Sequence, residues 1–129
     1  MIDNFSNCLT CIRNGLTSQH VFVNVARSRR LIAFLLFIVK QGYLCGISFP
    51  QHNRRGDFRV FLKYDGTKPV ISGIFRISRP SRRVCVNTRT LKRIYSPNIL
   101  FIVSTNLGYL TAFQALRANV GGELVCLIY

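Results

Sequence analysis

The chain has 129 residues, 49% of them hydrophobic and 17% charged, with 18 Lys and Arg against 4 Asp and Glu and a formal net charge of +14. That length holds one or two small domains and excludes a large multidomain enzyme, while the apolar content supports a packed core, unlike a basic disordered tail. A cationic surplus in which Arg far outnumbers Lys calls for a polyanionic partner, nucleic acid first and an anionic membrane surface second, because guanidinium forks match phosphate geometry.

Asp3 is placed to cap a first helix in which Phe5, Leu9, Ile12 and Leu16 recur at helical spacing, and Gly15 predicts its end near residue 14. Residues 20–25 alternate as a short strand with Val21, Val23 and Val25 on one face. Ser28 is placed to cap a second helix running to Gln41, which Gly42 stops. Two strands follow at 43–49 and 58–64, separated by a polar, basic loop, so the first half reads αβαββ. The cluster Asp65-Gly66-Thr67-Lys68-Pro69 predicts a boundary, because it gathers turn residues between two apolar runs. It divides the chain into 1–66 and 67–129.

Beyond the boundary, strands are predicted at 70–77 and 83–87 around Ser78-Arg79-Pro80-Ser81-Arg82, a basic turn whose proline breaks regular pairing. A single helical turn at 91–95, a stop at Pro97 and a buried strand at 99–103 come next. Thr111 can cap a short helix to about Arg117, and residues 123–129 form a closing strand after Gly121 and Gly122. The fold class is therefore α+β: two small α/β domains, the second β-rich with a short helix.

The inventory of reactive groups is sparse. Asp3, Asp57, Asp65 and Glu123 are the carboxylates and His20 and His52 the imidazoles, too few to assemble many acid/base pairs, so no enzyme is expected. The cysteines, at 8, 11, 45, 85 and 126, are odd in number, which argues against a disulfide framework and for a reducing compartment; 45, 85 and 126 fall in apolar strand-like segments and read as small buried hydrophobes. Cys8 and Cys11 make a lone C-x-x-C with no second pair at zinc-site spacing, so they read as neighbours on one helix face, and no metal or cofactor is expected. The apolar run 31–39 is cut by Lys40 and Gly42, far short of the ~20 residues of a spanning helix. No charged region precedes an apolar one at the N-terminus, so no secretory signal is expected, and there is little room for a transit peptide unless one has been removed.

Ser104-Thr105-Asn106-Leu107-Gly108, followed by Thr111, Ala115 and Gly121-Gly122-Glu123, resembles the signature of the small ribosomal subunit protein family eight, in which a Ser-Thr-Ser-x-Gly turn, a short helix and a Gly-Gly-Glu strand close the chain. The resemblance extends over Leu9-Thr10, Ile12-Arg13-Asn14, Ser28, Gly42, Phe61-Leu62-Lys63-Tyr64 and Arg76-Ile77-Ser78-Arg79-Pro80 with Arg83. It implies a two-domain protein that binds a helix of small-subunit ribosomal RNA, chiefly through the C-terminal domain, with neighbouring ribosomal proteins as further partners and no small-molecule substrate. The site it implies comprises Ser104, Thr105, Asn106, Gly108, Gly121, Gly122 and Glu123. Chemistry agrees: such a turn offers hydroxyl, amide and backbone donors to phosphates, 2′-hydroxyls and base edges, and the glycines let backbone approach RNA or simply turn the chain. Glu123, repelled by phosphate, either accepts from base amino groups or anchors donors of the turn itself.

Arg76, Arg79, Arg82 and Arg83, with Arg89, Lys92 and Arg93, form a basic band read as phosphate contacts. Arg13 belongs to a weaker band with Arg27, Arg29 and Arg30. Family members commonly carry Ser, Tyr and an acid where this chain has Asn106, Cys85 and Ala112, so an aromatic platform for a base is absent at 85. The second helix departs too. Residues 31–39 are apolar all round, which requires burial on more than one side, and Leu31, Leu35, Leu36 and Val39 are expected to meet an extra partner protein or a neighbour's extended terminus. A basic membrane-surface protein is the alternative reading, and it would need cations on the polar face of that helix, whereas Arg29, Arg30 and Lys40 lie at its ends. A free messenger-RNA regulator would use the same RNA-binding surface. Few acids and abundant Phe resemble an organelle-encoded member, mitochondrial first, with plastid and bacterial cytoplasm as alternatives.

Overall fold

A computed structural model describes residues 4–50 and 56–129, so Asp3 and His52 lie outside the described residues. The chain divides into two compact units, Met1–Ser72 and Gly73–Tyr129, each a mixture of helix and strand, as the α+β reading requires. The turn cluster at 65–69 forms a small hairpin of its own within the first unit, described below.

In the first unit, helix α1 (Asn4–Thr17) buries Leu9, Ile12 and Leu16 of the row that helical spacing predicts, together with Cys8, while Phe5 is only half-buried. It runs through Gly15 instead of stopping there. A Cβ on Gly15 would strike the Val23 side chain and lie 3.0 Å from Leu62 Cδ1, so the glycine permits close helix-to-sheet packing. The helix ends where Gln19 takes a φ of 57°. Strand β1 (Phe22–Val25) starts later than expected, leaving Val21 69% exposed.

Helix α2 (Arg29–Lys40) begins after Ser28, whose side chain makes no capping bond, and it is closed by Gln41 and by Gly42 at a φ of 88°. Leu31, Phe34, Leu35 and Ile38 are buried. This corrects the expected outer face, because Leu31 and Leu35 belong to the protein's own core. Leu36 remains exposed and Val39 half-buried.

Strands β2 (Leu44–Ser48) and β3 (Phe58–Leu62) complete an antiparallel sheet in the order β1-β3-β2. Val25, Leu44, Phe58, Val60 and Leu62 are buried. On the opposite face Phe22 pairs with Phe61, ring centroids 5.8 Å apart, and the Arg59 guanidinium lies 4.7 Å from the Phe22 centroid. The hairpin β4 (Tyr64–Asp65) with β5 (Lys68–Pro69) turns at Gly66, φ 65°.

The second unit holds β6 (Ile74–Arg76), β7 (Cys85–Val86), α3 (Thr88–Ile94), β8 (Leu100–Thr105), β9 (Gly108–Thr111), α4 (Ala112–Arg117) and β10 (Gly122–Ile128). Strand β6 covers only part of the expected 70–77, because the Val70 N–H still donates to the Lys63 carbonyl around the preceding hairpin. Helix α3 starts before the expected turn at 91, since the Asn87 side chain accepts from Thr90 N–H and caps it. Strand β9 is an element the sequence reading lacks. The sheet order is β6-β10-β8-β9, with β7 also paired to β10, and Leu91, Val103, Ala112, Ala115 and Leu124 form the core between helices and sheet.

Candidate nucleic-acid interface

Strand β10 organises the site because it changes neighbours along its length. One edge pairs with β8 throughout, while the other pairs first with β7 at Gly122 and Glu123 and then with β6 from Cys126 to Ile128. The switch is a bulge between Leu124 and Cys126, and such a bulge frees backbone groups locally. The Val125 carbonyl accepts from the N–H groups of Ile77 and Ser78, and Leu124 N–H donates to the Val84 carbonyl. Ser78 is thereby brought beside Glu123.

Register places Ser104, Glu123 and Cys85 directly opposite one another across β8, β10 and β7, so their side chains share one face of the sheet. Along that face the row continues into Ile102, Cys126, Ile128 and Ile74, all buried. Gly122 and Gly121 let these strands close up. A Cβ on Gly122 would collide with the Ser104 carbonyl, and one on Gly121 would lie 2.5 Å from the Val86 carbonyl. Their close approach is to the protein's own backbone.

The turn after Ser104 is a two-residue hairpin loop, Asn106 and Leu107, between Thr105 and Gly108. The Thr105 hydroxyl donates to the Gly108 carbonyl at 2.9 Å and accepts from Leu107 N–H at 3.1 Å. Its proton is committed to bracing the loop. Gly108 adopts a φ of 104°, which side-chain-bearing residues rarely take. Asn106 is exposed and Leu107 is 64% exposed at the tip. Past β9, Thr111 caps α4 in a reciprocal box with Gln114, as its sequence predicts.

Glu123 Oε1 accepts the Ser78 hydroxyl at 2.5 Å and Arg83 Nη1 at 2.8 Å. Partial burial alone would raise this carboxyl; the Ser78 and Arg83 bonds and the charges of Arg83 and Arg76 outweigh it and hold Glu123 below the usual carboxylate value. Arg76 Nε donates to the Ser78 carbonyl at 2.6 Å. Arg79 and Arg82 exchange backbone bonds across Pro80 and Ser81 and stand exposed on that tight turn. Ser78 is the residue that sequence reasoning missed as part of this cluster. It is 3% exposed and its hydroxyl also accepts from Val84 N–H, a role whose sole sequence signal is its place in Arg76-Ile77-Ser78-Arg79-Pro80.

Ser104, Thr105, Asn106, Gly108, Gly121, Gly122, Glu123, Arg76, Arg79, Arg82 and Arg83 thus lie in one unit, the first group through strand pairing and the last through the Glu123 cluster and the 79–82 turn. Arg13 lies on α1 in the other unit, exposed.

The family model for Ribosomal protein S8 matches residues 3–129. The chain belongs to the ribosomal protein S8 family. Among its relatives, the small ribosomal subunit protein uS8 of Protochlamydia amoebophila is 37% identical over 129 residues, covering 98% of this chain and 97% of the relative. The protein of the same name from Chlamydia trachomatis serovar D is 35% identical over 128 residues, 98% and 96% of the two chains, and that of Chlamydia pneumoniae is 34% identical with the same coverage. An S8-family chain is a structural constituent of the small ribosomal subunit, and the family is non-enzymatic.

The remaining reactive groups follow from packing. Cys8 and Cys126 are buried, but Cys45 and Cys85 are exposed, correcting the expectation that 45, 85 and 126 are all interior; Cys11 is exposed as well. Pairing decides this, since Cys85 sits opposite Glu123 on the polar end of its face. Burial, with a smaller effect from Cys11, pushes the Cys8 thiol up to about 12, which keeps it from thiolate chemistry. Among the described residues no group of three His, Cys, Asp or Glu could hold a metal ion, and no helix is long and apolar enough to cross a membrane.

Proposed function

We propose that this S8-family protein binds and organises small-subunit ribosomal RNA through its second unit, without catalysis of its own. The observation that carries the reading is the single row of Ser104, Glu123 and Cys85, flanked by Arg76 and Arg83, beside a braced hairpin loop. Glu123 is the one carboxylate among residues 73–129. With Arg83 and Ser78 bonded to it, it acts as an internal anchor, so the surface meets phosphate without an uncompensated negative charge. Ser104, Asn106 and the Gly108 backbone supply registration to RNA, with Gly121 and Gly122 holding the strands that carry them. Arg79 and Arg82 on the exposed turn neutralise backbone phosphates, and Arg13 adds a contact from the first unit. Apart from Arg13, the residues proposed for this site all belong to the second compact unit, Gly73–Tyr129, which supports the reading of a C-terminal RNA-binding part. Neighbouring ribosomal proteins are the other partners, with Leu36 the exposed large apolar side chain on α2. The ribosome is mitochondrial first in this reading, on the few acids and ten Phe residues, with a plastid or a bacterial cytoplasm as the alternatives.

The test measures binding to small-subunit ribosomal RNA and to an unrelated RNA at rising salt. Affinity is expected to fall by at least about tenfold between low and moderate salt, because counterion release dominates phosphate contacts. Replacing Ser104 and Thr105 by Ala is expected to weaken specific binding while leaving the unrelated RNA nearly unaffected. A flat salt response, or equal loss on both RNAs, refutes the mechanism.

A further inference from the structure

Away from the Ser104 to Glu123 row, on the helix-bearing side of the same unit, two aromatic rings are open to solvent. Tyr95 at the C-cap of α3 is 40% exposed and Phe113 in the first turn of α4 is 51% exposed. Their centroids lie 6.2 Å apart with the planes inclined by 35°. The Arg117 guanidinium carbon stands 5.8 Å from the Phe113 centroid, within cation–π range. Lys92 and Arg93 in the last turn of α3 are exposed too.

The pair is held by rigid elements. Leu91, Ala112 and Ala115 anchor both helices in the core, Asn87 caps α3, and the Thr111 and Gln114 box fixes the turn that carries Phe113. Exposed rings on preorganised helices are ready to stack, since little entropy is lost in ordering them. Charge decides what they stack on. Every charged side chain named in this patch is cationic, and the single carboxylate of residues 73–129, Glu123, is already bonded to Ser78 and Arg83. An apolar protein surface would match the rings alone. An unpaired nucleobase with its phosphate matches rings and cations together, and guanidinium beside an aromatic face is the arrangement that tolerates any base.

We propose that Tyr95 and Phe113, with Arg117, form a second RNA contact that stacks unpaired bases, separate from the turn that registers the RNA helix. It rests on the RNA-binding reading above but uses none of the residues of that site. The test compares the full chain with the double variant Tyr95→Leu, Phe113→Leu on two probes: a single-stranded oligoadenylate and a fully paired RNA duplex. Leucine keeps the apolar character and removes the stacking face, so oligoadenylate affinity is expected to drop about tenfold while duplex affinity changes by less than about twofold. Phe113→Tyr alone is expected to retain both. Unchanged oligoadenylate binding in the double variant overturns the proposal and leaves the rings to an apolar protein neighbour. Equal loss on both probes overturns it as well, because the effect is then not stacking. If the unsubstituted chain binds neither probe, the RNA-binding reading itself fails.

Discussion

Replacing Ser78 by Ala removes a hydroxyl that works in two directions. It donates to Glu123 Oε1 at 2.5 Å and accepts from Val84 N–H at 3.1 Å, and the residue is 3% exposed. Losing the acceptor leaves the Val84 donor without its partner, at a cost of about 1–2 kcal/mol. A hydrogen bond to a charged group contributes about 1.5–3 kcal/mol when buried; the Glu123 side chain keeps 28% exposure, so water replaces part of it and about 1 kcal/mol is the fitting share. The expected destabilisation is therefore about 2–3 kcal/mol. Urea unfolding at neutral pH reads this as a midpoint lowered by about 0.7–3 M, given slopes of about 1–3 kcal/mol per M. A double-mutant cycle with Glu123→Gln isolates the pair and is expected to return a coupling near 1 kcal/mol. A loss under about 0.5 kcal/mol, with no coupling, would refute the view that Ser78 ties β10 to the 78–84 segment.

Three further outcomes follow from the same geometry. Because Glu123 is held below its ordinary value by Ser78, Arg83 and Arg76 despite partial burial, its contribution to stability is complete above the unfolded carboxylate value, about 4.3, and is lost as pH falls through the lower folded value; the acid limb of a stability-versus-pH curve should flatten in Glu123→Gln, and an unchanged limb would count against the anchor. Gly122→Ala places a Cβ against the Ser104 carbonyl and should destabilise by about 1–3 kcal/mol, measured by thermal unfolding; a variant as stable as the parent would show that β8 and β10 are not in close contact there. A thiol reagent should label Cys11, Cys45 and Cys85 rapidly in the native protein, and Cys8 and Cys126 only on unfolding; rapid labelling of all five would contradict the burial of α1 and β10.

Local sequence determined what depends on near neighbours in the chain. Helical spacing identifies the buried row Leu9, Ile12 and Leu16 of α1, and the Thr111 cap with Gln114 three residues on marks the start of α4. The α+β class, the cationic character and the Ser104 to Gly108 turn were legible for the same reason, since caps, turns and periodicity act over a few residues. Tertiary structure decided the rest. Gly15 reads as a helix stop but serves as a contact with Val23 and Leu62, which lie 8 and 47 positions away. Leu31 and Leu35 read as an outer face but are interior, because residues 31–39 are apolar on every side and only the flanking Arg29, Arg30 and Lys40, exposed like Leu36, mark the face that meets water. Ser78, 45 positions from Glu123, joins the site only through the β10 bulge, and Cys85 meets solvent only because pairing sets it opposite Glu123. Pattern along the chain specifies elements; register between strands distant in sequence specifies which side chains meet, and at this site that register makes one carboxylate an anchor within a cationic surface.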